Sequence, residues 1–81
     1  MRNNPGQLVH LAVLMEEAIQ IAWDYLERAG DIEDAEFCSH VLLHSVEKMV
    51  QQGVRSRLLL SNRAITQYME ALEARTLQAA S

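Results

Sequence analysis

Apolar residues recur every seven positions through the first third of the chain. Three sets share this spacing: Leu8, Met15, Ala22 and Ala29; Leu11, Ala18 and Tyr25; and Ala12, Ile19 and Leu26. Residues three, four and seven positions apart share a face only on an α-helix. The pattern therefore predicts an amphipathic helix 1 over about residues 6–29.

The predicted ends of helix 1 carry residues that start and stop helices. Asn4 is a good N-cap, and Pro5 suits the first helical position. Gly30 is expected to end the helix in the left-handed conformation. Asp31 and Asp34 are both suitable N-caps for the next helix, where a carboxylate also faces the positive end of the helix dipole.

A second glycine separates the other two predicted helices. Helix 2 is expected over about residues 34–52, with Gly53 as its left-handed end. Helix 3 is expected over about residues 57–78. Ser56 is its favoured N-cap because a seven-residue apolar line begins two residues later; the alternative is an irregular turn followed by a cap at Ser61.

The predicted buried stripes of helices 2 and 3 are mostly aliphatic. They comprise Cys38, Val41, Leu42, Ser45 and Met49 on helix 2, with Ala35 and Val46 beside them, and Leu58, Ser61, Ile65, Tyr68, Met69 and Leu72 on helix 3. These are ordinary amphipathic patterns. The sequence therefore predicts an all-α fold, a three-helix unit in which helices 1 and 2 form an antiparallel hairpin and helix 3 folds back.

Helix 1 has a wider apolar arc than the other two helices. Leu14, Ile21 and Tyr25 extend this arc on one side, and Trp23 extends it on the other. Contiguous apolar area on the surface of a soluble chain usually marks an interface. We therefore expect these four side chains to reach beyond the core of one chain and to form a dimeric helical bundle across a two-fold axis. The alternative is that three helices of one chain cover the whole arc.

Residues 26–43 resemble the middle of a tetratricopeptide repeat. Gly30 is followed by an acidic residue and then by the small Ala35, and Leu26 and Leu43 occupy apolar positions of the repeat. Three positions differ from the family pattern: Ser39 replaces an aromatic residue, Leu42 a small alanine and Glu47 the closing proline. No second copy follows, so the resemblance implies a tight antiparallel hairpin and no peptide-binding array.

Composition narrows the class of protein. Hydrophobic residues make up 49% of the chain, which excludes disorder by composition. The 81 residues predict a single domain, 1–81, with little room for both a core and a substrate pocket, so we do not expect an enzyme. The single cysteine, Cys38, suits a reducing compartment. The absence of a membrane-length apolar stretch or a signal cleavage pattern also favours a cytoplasmic protein.

One polar arc of helix 2 carries two histidines between two glutamates, Glu36 and Glu47. His40 and His44 are one helical turn apart, a spacing that can chelate a transition metal. The same arc lies opposite the apolar stripe, and His44 stands four residues before Lys48, as is common on a solvated face. We expect a solvated face, with no metal and no other cofactor.

Arginines cluster around the start of helix 3. Arg55, Arg57 and Arg63 are candidates for contact with an anion or an acidic partner, because a guanidinium pairs with phosphate or carboxylate through its planar fork. The net charge of the whole chain is −4, which argues against nonspecific binding to nucleic acid. The alternatives are exposure of these arginines or pairing with the acidic segment 31–36 of the same chain.

The sequence contains no catalytic fingerprint, phosphate loop or closed metal signature. It therefore predicts a noncatalytic helical protein–protein interaction module, a small adaptor or regulator that associates with itself as a homodimer. Two alternative functions are a nucleic-acid-binding regulator that uses the three arginines and a metal-binding protein that uses His40 and His44.

Overall fold

Three helices make up the described part of the chain. The computed structural model describes the backbone of residues 5–80 and the side chains of residues 10–79. Helix α1 spans Pro5–Ala29, α2 spans Ala35–Gln51 and α3 spans Arg57–Ala80. Each helix packs against the other two, and the described backbone contains no strand. The predicted all-α, three-helix fold is confirmed.

The helices alternate in direction along the chain. Connections of five residues join successive helices, so α2 runs back along α1, and α3 runs back along α2. Two contacts between distant residues agree with this arrangement. Arg57 at the start of α3 pairs with Glu17 in the middle of α1, and Tyr68 further along α3 bonds to Asp31 just after α1 ends. Helices α1 and α3 therefore run in the same direction.

Glycines end α1 and α2 as predicted. Gly30 has a φ of 75° and Gly53 a φ of 99°, in the left-handed region that other residues rarely adopt. After Gly30, the Asp31 amide donates to the Leu26 carbonyl at 2.9 Å, and the Val54 amide makes the equivalent bond after Gly53. A Cβ atom at either glycine would meet nothing within 4 Å. The backbone conformation, and not crowding, therefore requires glycine at both positions.

The N-termini of α2 and α3 have side-chain caps. The Phe37 amide donates to Asp34 Oδ1 at 3.1 Å, and the Leu59 amide donates to Ser56 Oγ at 3.2 Å. Both bonds satisfy amides that have no partner within the helix. The predicted caps Asp34 and Ser56 are confirmed, whereas the predicted cap Asn4 lies outside the described residues.

Asp34 also links the start of α2 to the distal part of α3. Its Oδ2 atom lies 3.3 Å from Nη2 of Arg75, and the Arg75 guanidinium lies 4.5 Å from the centroid of the Phe37 ring. The hydrogen bond from the Phe37 amide, followed by the interaction with Arg75, holds the pKa of the Asp34 carboxyl below its ordinary value of 3.8. The charged form is thus favoured in the folded state.

This lowered pKa predicts a pH-dependent contribution to stability. Because the unfolded carboxyl binds its proton more tightly, the contribution of Asp34 is complete above its unfolded pKa and is lost as pH falls through its folded pKa. We expect Asp34→Asn to destabilise the protein near neutral pH. Urea unfolding of both proteins between about pH 7 and pH 2 should show this difference shrinking as pH falls. A difference that stayed constant would contradict the assignment.

The core is narrow and uses small side chains on α1. Ala18 and Ala22 are fully buried there, which lets the neighbouring helices approach closely. Among residues 10–79, the buried apolar residues are Ala18, Ala22, Leu26, Cys38, Leu42, Val46, Met49, Val50, Leu60, Ala64 and Tyr68. Ala35, which is predicted to be buried beside the stripe of helix 2, is exposed in the first turn of α2. The Leu8 side chain, predicted on the apolar face of helix 1, lies outside the described residues.

The predicted register of helix 3 is wrong at two positions. Leu58 is 67% exposed and Met69 is 39% exposed, whereas Leu60 and Ala64 are fully buried. The cause is that α3 packs against both other helices, so its buried stripe is centred on the row that carries Leu60, Ala64 and Tyr68 at four-residue steps. The seven-residue line that begins at Leu58 forms only the edge of this stripe.

Polar groups inside the bundle have partners. Ser45 Oγ donates to Oε1 of Gln67, which joins α2 to α3. Ser61 Oγ donates to the Leu58 carbonyl at 3.0 Å, which confirms the prediction that this serine bonds back to its own helix. Within residues 10–79, every buried side-chain nitrogen or oxygen has a hydrogen-bond partner.

Candidate interaction surface

The four predicted interface residues on α1 fall into two groups. Ile21 is 38% exposed and Tyr25 is 57% exposed. Leu14 and Trp23 are partly buried and pack against the core of the same chain. Ile21 and Tyr25 therefore reach furthest into solvent, while Leu14 and Trp23 already have intramolecular contacts.

Helix geometry places an apolar line of α3 on the side of that helix that faces Ile21 and Tyr25 of α1. The Ser45–Gln67 bond turns one side of α3 toward α2, and the line that begins at Leu58 lies on the opposite side of α3. On α1, Ile21 and Tyr25 follow Glu17 at four-residue steps, along the side that pairs with Arg57 of α3. We call the resulting surface the α1–α3 face and define it by its exposed or partly buried apolar members: Ile21, Tyr25, Leu58, Ile65, Met69 and Leu72.

Sequence reasoning missed the α3 half of this face. Leu58 and Met69 were both predicted to lie in the core, but both are exposed. A signal for Leu58 was present, because Leu58, Leu59 and Leu60 are consecutive and side chains 100° apart on a helix cannot all point inward. The apolar surface is therefore larger than the arc of helix 1 alone predicted.

The three candidate arginines differ in their surroundings. Arg55 Nη1 donates to the carbonyls of Val50, at 2.8 Å, and Val54, at 3.0 Å, which caps the end of α2. Arg57 forms an ion pair with Glu17. The Arg63 side chain is exposed and forms no salt bridge or hydrogen bond with any residue between 10 and 79. The arginines therefore do not form one convergent anion site.

The predicted alternative, pairing of these arginines with segment 31–36, is wrong. The two groups lie at opposite ends of α2. Segment 31–36 is at its N-terminal end, and Arg55 and Arg57 follow its C-terminal end. The acidic segment instead meets Arg75, whose guanidinium reaches Asp34 from the distal part of α3. This pair could not be predicted from local patterns, because its members are 41 residues apart.

His40 and His44 lie on the exposed side of α2, as do Glu36 and Glu47. Within the described part of the chain, no three His, Cys, Asp or Glu side chains are grouped so as to hold a metal ion. A transition-metal site built from the two histidines would need further ligands from another molecule. The geometry of one chain therefore offers no closed metal centre here.

Two buried groups with shifted pKa values lie in the core. Burial raises the pKa of the Cys38 thiol, and burial likewise raises the pKa of the Tyr68 hydroxyl. A thiol acts as a nucleophile in its deprotonated form, which an apolar environment disfavours. Tyr68 donates its hydroxyl hydrogen to the Asp31 carbonyl at 2.7 Å. The surroundings of both groups thus favour their protonated, uncharged forms.

Comparisons with protein-family models, with curated proteins and with solved structures found no significant match to this chain. None of the helices within residues 5–80 combines the length and apolar character needed to cross a bilayer.

Proposed function

We propose that this protein is a noncatalytic helical interaction module, a small adaptor or regulator that forms a homodimer through the α1–α3 face. The observation that carries the proposal is the exposure of large apolar side chains on adjoining flanks of two helices, led by Leu58 and Tyr25. Apolar side chains that share one surface mark an interface more strongly than the same residues scattered singly. The predicted interface residues Ile21 and Tyr25 lie on this face.

A second copy would bury apolar side chains that a single chain of this size leaves exposed. Fully burying a large aliphatic or aromatic side chain contributes about 1.5–3 kcal/mol relative to leaving it exposed. Small domains often gain core by self-association for this reason. A two-fold arrangement would bury each exposed side chain of the face twice, once in each copy.

The other surfaces favour this function over the alternatives. Of the three candidate arginines, two have intramolecular partners, Arg57 with Glu17 and Arg55 with backbone carbonyls. The net charge of −4 also disfavours binding to the phosphate backbone of a nucleic acid.

For location we propose the cytoplasm, because the only cysteine is a free thiol buried in the core.

Replacing Ile21 with aspartate tests the proposal. We expect the wild-type protein to have twice the 9.2 kDa mass of one chain in sedimentation equilibrium. Ile21→Asp should weaken the dimer by about 2–4 kcal/mol, roughly 30- to 1,000-fold, because each copy loses a buried side chain and places a carboxylate in the interface. Circular dichroism should show unchanged helicity.

Leu43→Asp is the matched control for this experiment. Leu43 is 44% exposed, a fraction similar to the 38% of Ile21. It lies on α2, outside the α1–α3 face. The substitution adds the same charge, so general repulsion between the chains rises equally in both variants. The dimer should survive in Leu43→Asp. Equal dissociation of both variants, or a wild-type protein that is monomeric at every concentration, would exclude the α1–α3 face as a dimer interface.

A further inference from the structure

The two turns of the bundle carry opposite charge. Segment 31–36, which comprises the end of the α1–α2 turn and the first two residues of α2, contains four carboxylates and no basic residue. Segment 54–63, which leads into α3, contains three arginines and no acidic residue. Helix α2 separates the two segments, and its 17 residues span about 25 Å at the rise of an α-helix. Each chain therefore has an acidic end and a basic end.

Ion pairs within the chain neutralise these ends only in part. At the acidic end Arg75 pairs with Asp34, but Glu33 and Glu36 form no salt bridge with any described residue. At the basic end Glu17 pairs with Arg57. No carboxylate neutralises the charge of Arg55, because its hydrogen bonds are to neutral carbonyls. Arg63 likewise has no salt bridge within residues 10–79. Neighbouring charges also count: Glu27 and Arg28 offset each other beside the acidic segment, and Glu16 and Glu47 offset part of the charge of Lys48 and the arginines at the basic end. The acidic end therefore keeps several negative charges, and the basic end keeps a small positive excess.

From this charge distribution we infer that the occupant of the α1–α3 face is a second copy in antiparallel orientation, with its acidic end beside the basic end of the first. The inference rests on the proposed function, because the α1–α3 face brings the copies together. In a parallel dimer the two acidic ends would lie side by side. In the antiparallel dimer, ends of like charge are separated by a distance comparable to the length of α2, well beyond the Debye length of about 8 Å at physiological salt.

The apolar residues of α3 suit the same orientation. Leu58 and Leu72 stand seven residues before and after Ile65, so the three positions are symmetric along the helix. A two-fold axis perpendicular to α3 near Ile65 would place Leu58 of one copy at the level of the partner's Leu72. Apolar positions would then meet apolar positions while opposite charges meet at the ends.

The sign of the salt dependence tests the orientation. In the antiparallel dimer, screening weakens attraction between the ends, so the dissociation constant of the wild-type dimer should rise by at least about threefold between about 0.05 M and about 0.5 M NaCl. In a parallel dimer, salt would instead strengthen association.

Fluorescence energy transfer between labelled copies provides a direct measurement. Ala35→Cys and Gln51→Cys place exposed thiols at the acidic and basic ends of α2, and wild-type protein, whose Cys38 is buried, gives the labelling background. Transfer between position 35 of one copy and position 51 of the other should exceed transfer between identical positions. A dimer with the reverse order overturns the antiparallel inference and leaves the proposed function standing, whereas a monomeric wild-type protein overturns both.

Discussion

Replacing Leu60 with alanine is expected to lower the free energy of unfolding by about 2–5 kcal/mol, whereas Leu58→Ala should change it by less than about 0.5 kcal/mol. The two leucines are two residues apart on α3. Leu60 is fully buried and Leu58 is exposed, so only the first substitution leaves a cavity in the core. A loss of this size is a large part of the total stability of a small domain.

Urea unfolding followed by circular dichroism checks this prediction. The measurement belongs at a protein concentration low enough to keep the chain monomeric, because Leu58 lies on the α1–α3 face. The slope of the unfolding free energy against urea should remain that of the wild type, so that midpoints report stability. If Leu58→Ala were the more destabilising of the two, the register of α3 would be wrong.

Replacing Tyr68 with alanine is expected to destabilise the protein by about 3–5 kcal/mol. Tyr68 is the largest of the fully buried side chains within residues 10–79. Its ring lies 6.1 Å from that of Phe37, measured between centroids, at an interplanar angle of 52°. Through its hydroxyl it also bonds to the backbone of the α1–α2 turn at Asp31. The substitution therefore removes packing and a link to this turn.

Tyr68→Phe separates these two contributions. Phenylalanine keeps the ring and its contact with Phe37 but leaves the Asp31 carbonyl without the tyrosine hydroxyl, so we expect a smaller cost of about 1–3 kcal/mol. Hydrogen exchange should show the amides near the α1–α2 turn losing protection in this variant. A Phe variant as unstable as the Ala variant would mean that the ring contributes little.

The sequence was most informative where the structure depends on neighbouring residues. Gly30 and Gly53 end helices because of their own φ values, and Asp34 and Ser56 cap amides three residues away. Each of these features could be predicted because the cause and the effect lie within one helical turn. The number of helices followed from the same local signals.

The sequence was less informative where the structure depends on packing between helices. The row of α3 that is buried depends on where two other helices lie, so the predicted stripe includes Leu58 and Met69, which are exposed. The pairs Ser45–Gln67 and Arg57–Glu17 join residues 22 and 40 positions apart, and no local pattern reports them. For the candidate surface, Ile21 and Tyr25 were predicted from the width of an apolar arc, whereas its α3 half required the structure.

The burial of Cys38 gives the protein an intrinsic probe of its own opening. The thiol is fully buried, and burial raises its pKa. A thiol reagent can therefore modify the folded chain only after the bundle opens and the side chain reaches water. Dimer formation is expected to suppress opening of the bundle, so the rate of Cys38 modification in the wild-type protein should fall as the protein concentration rises.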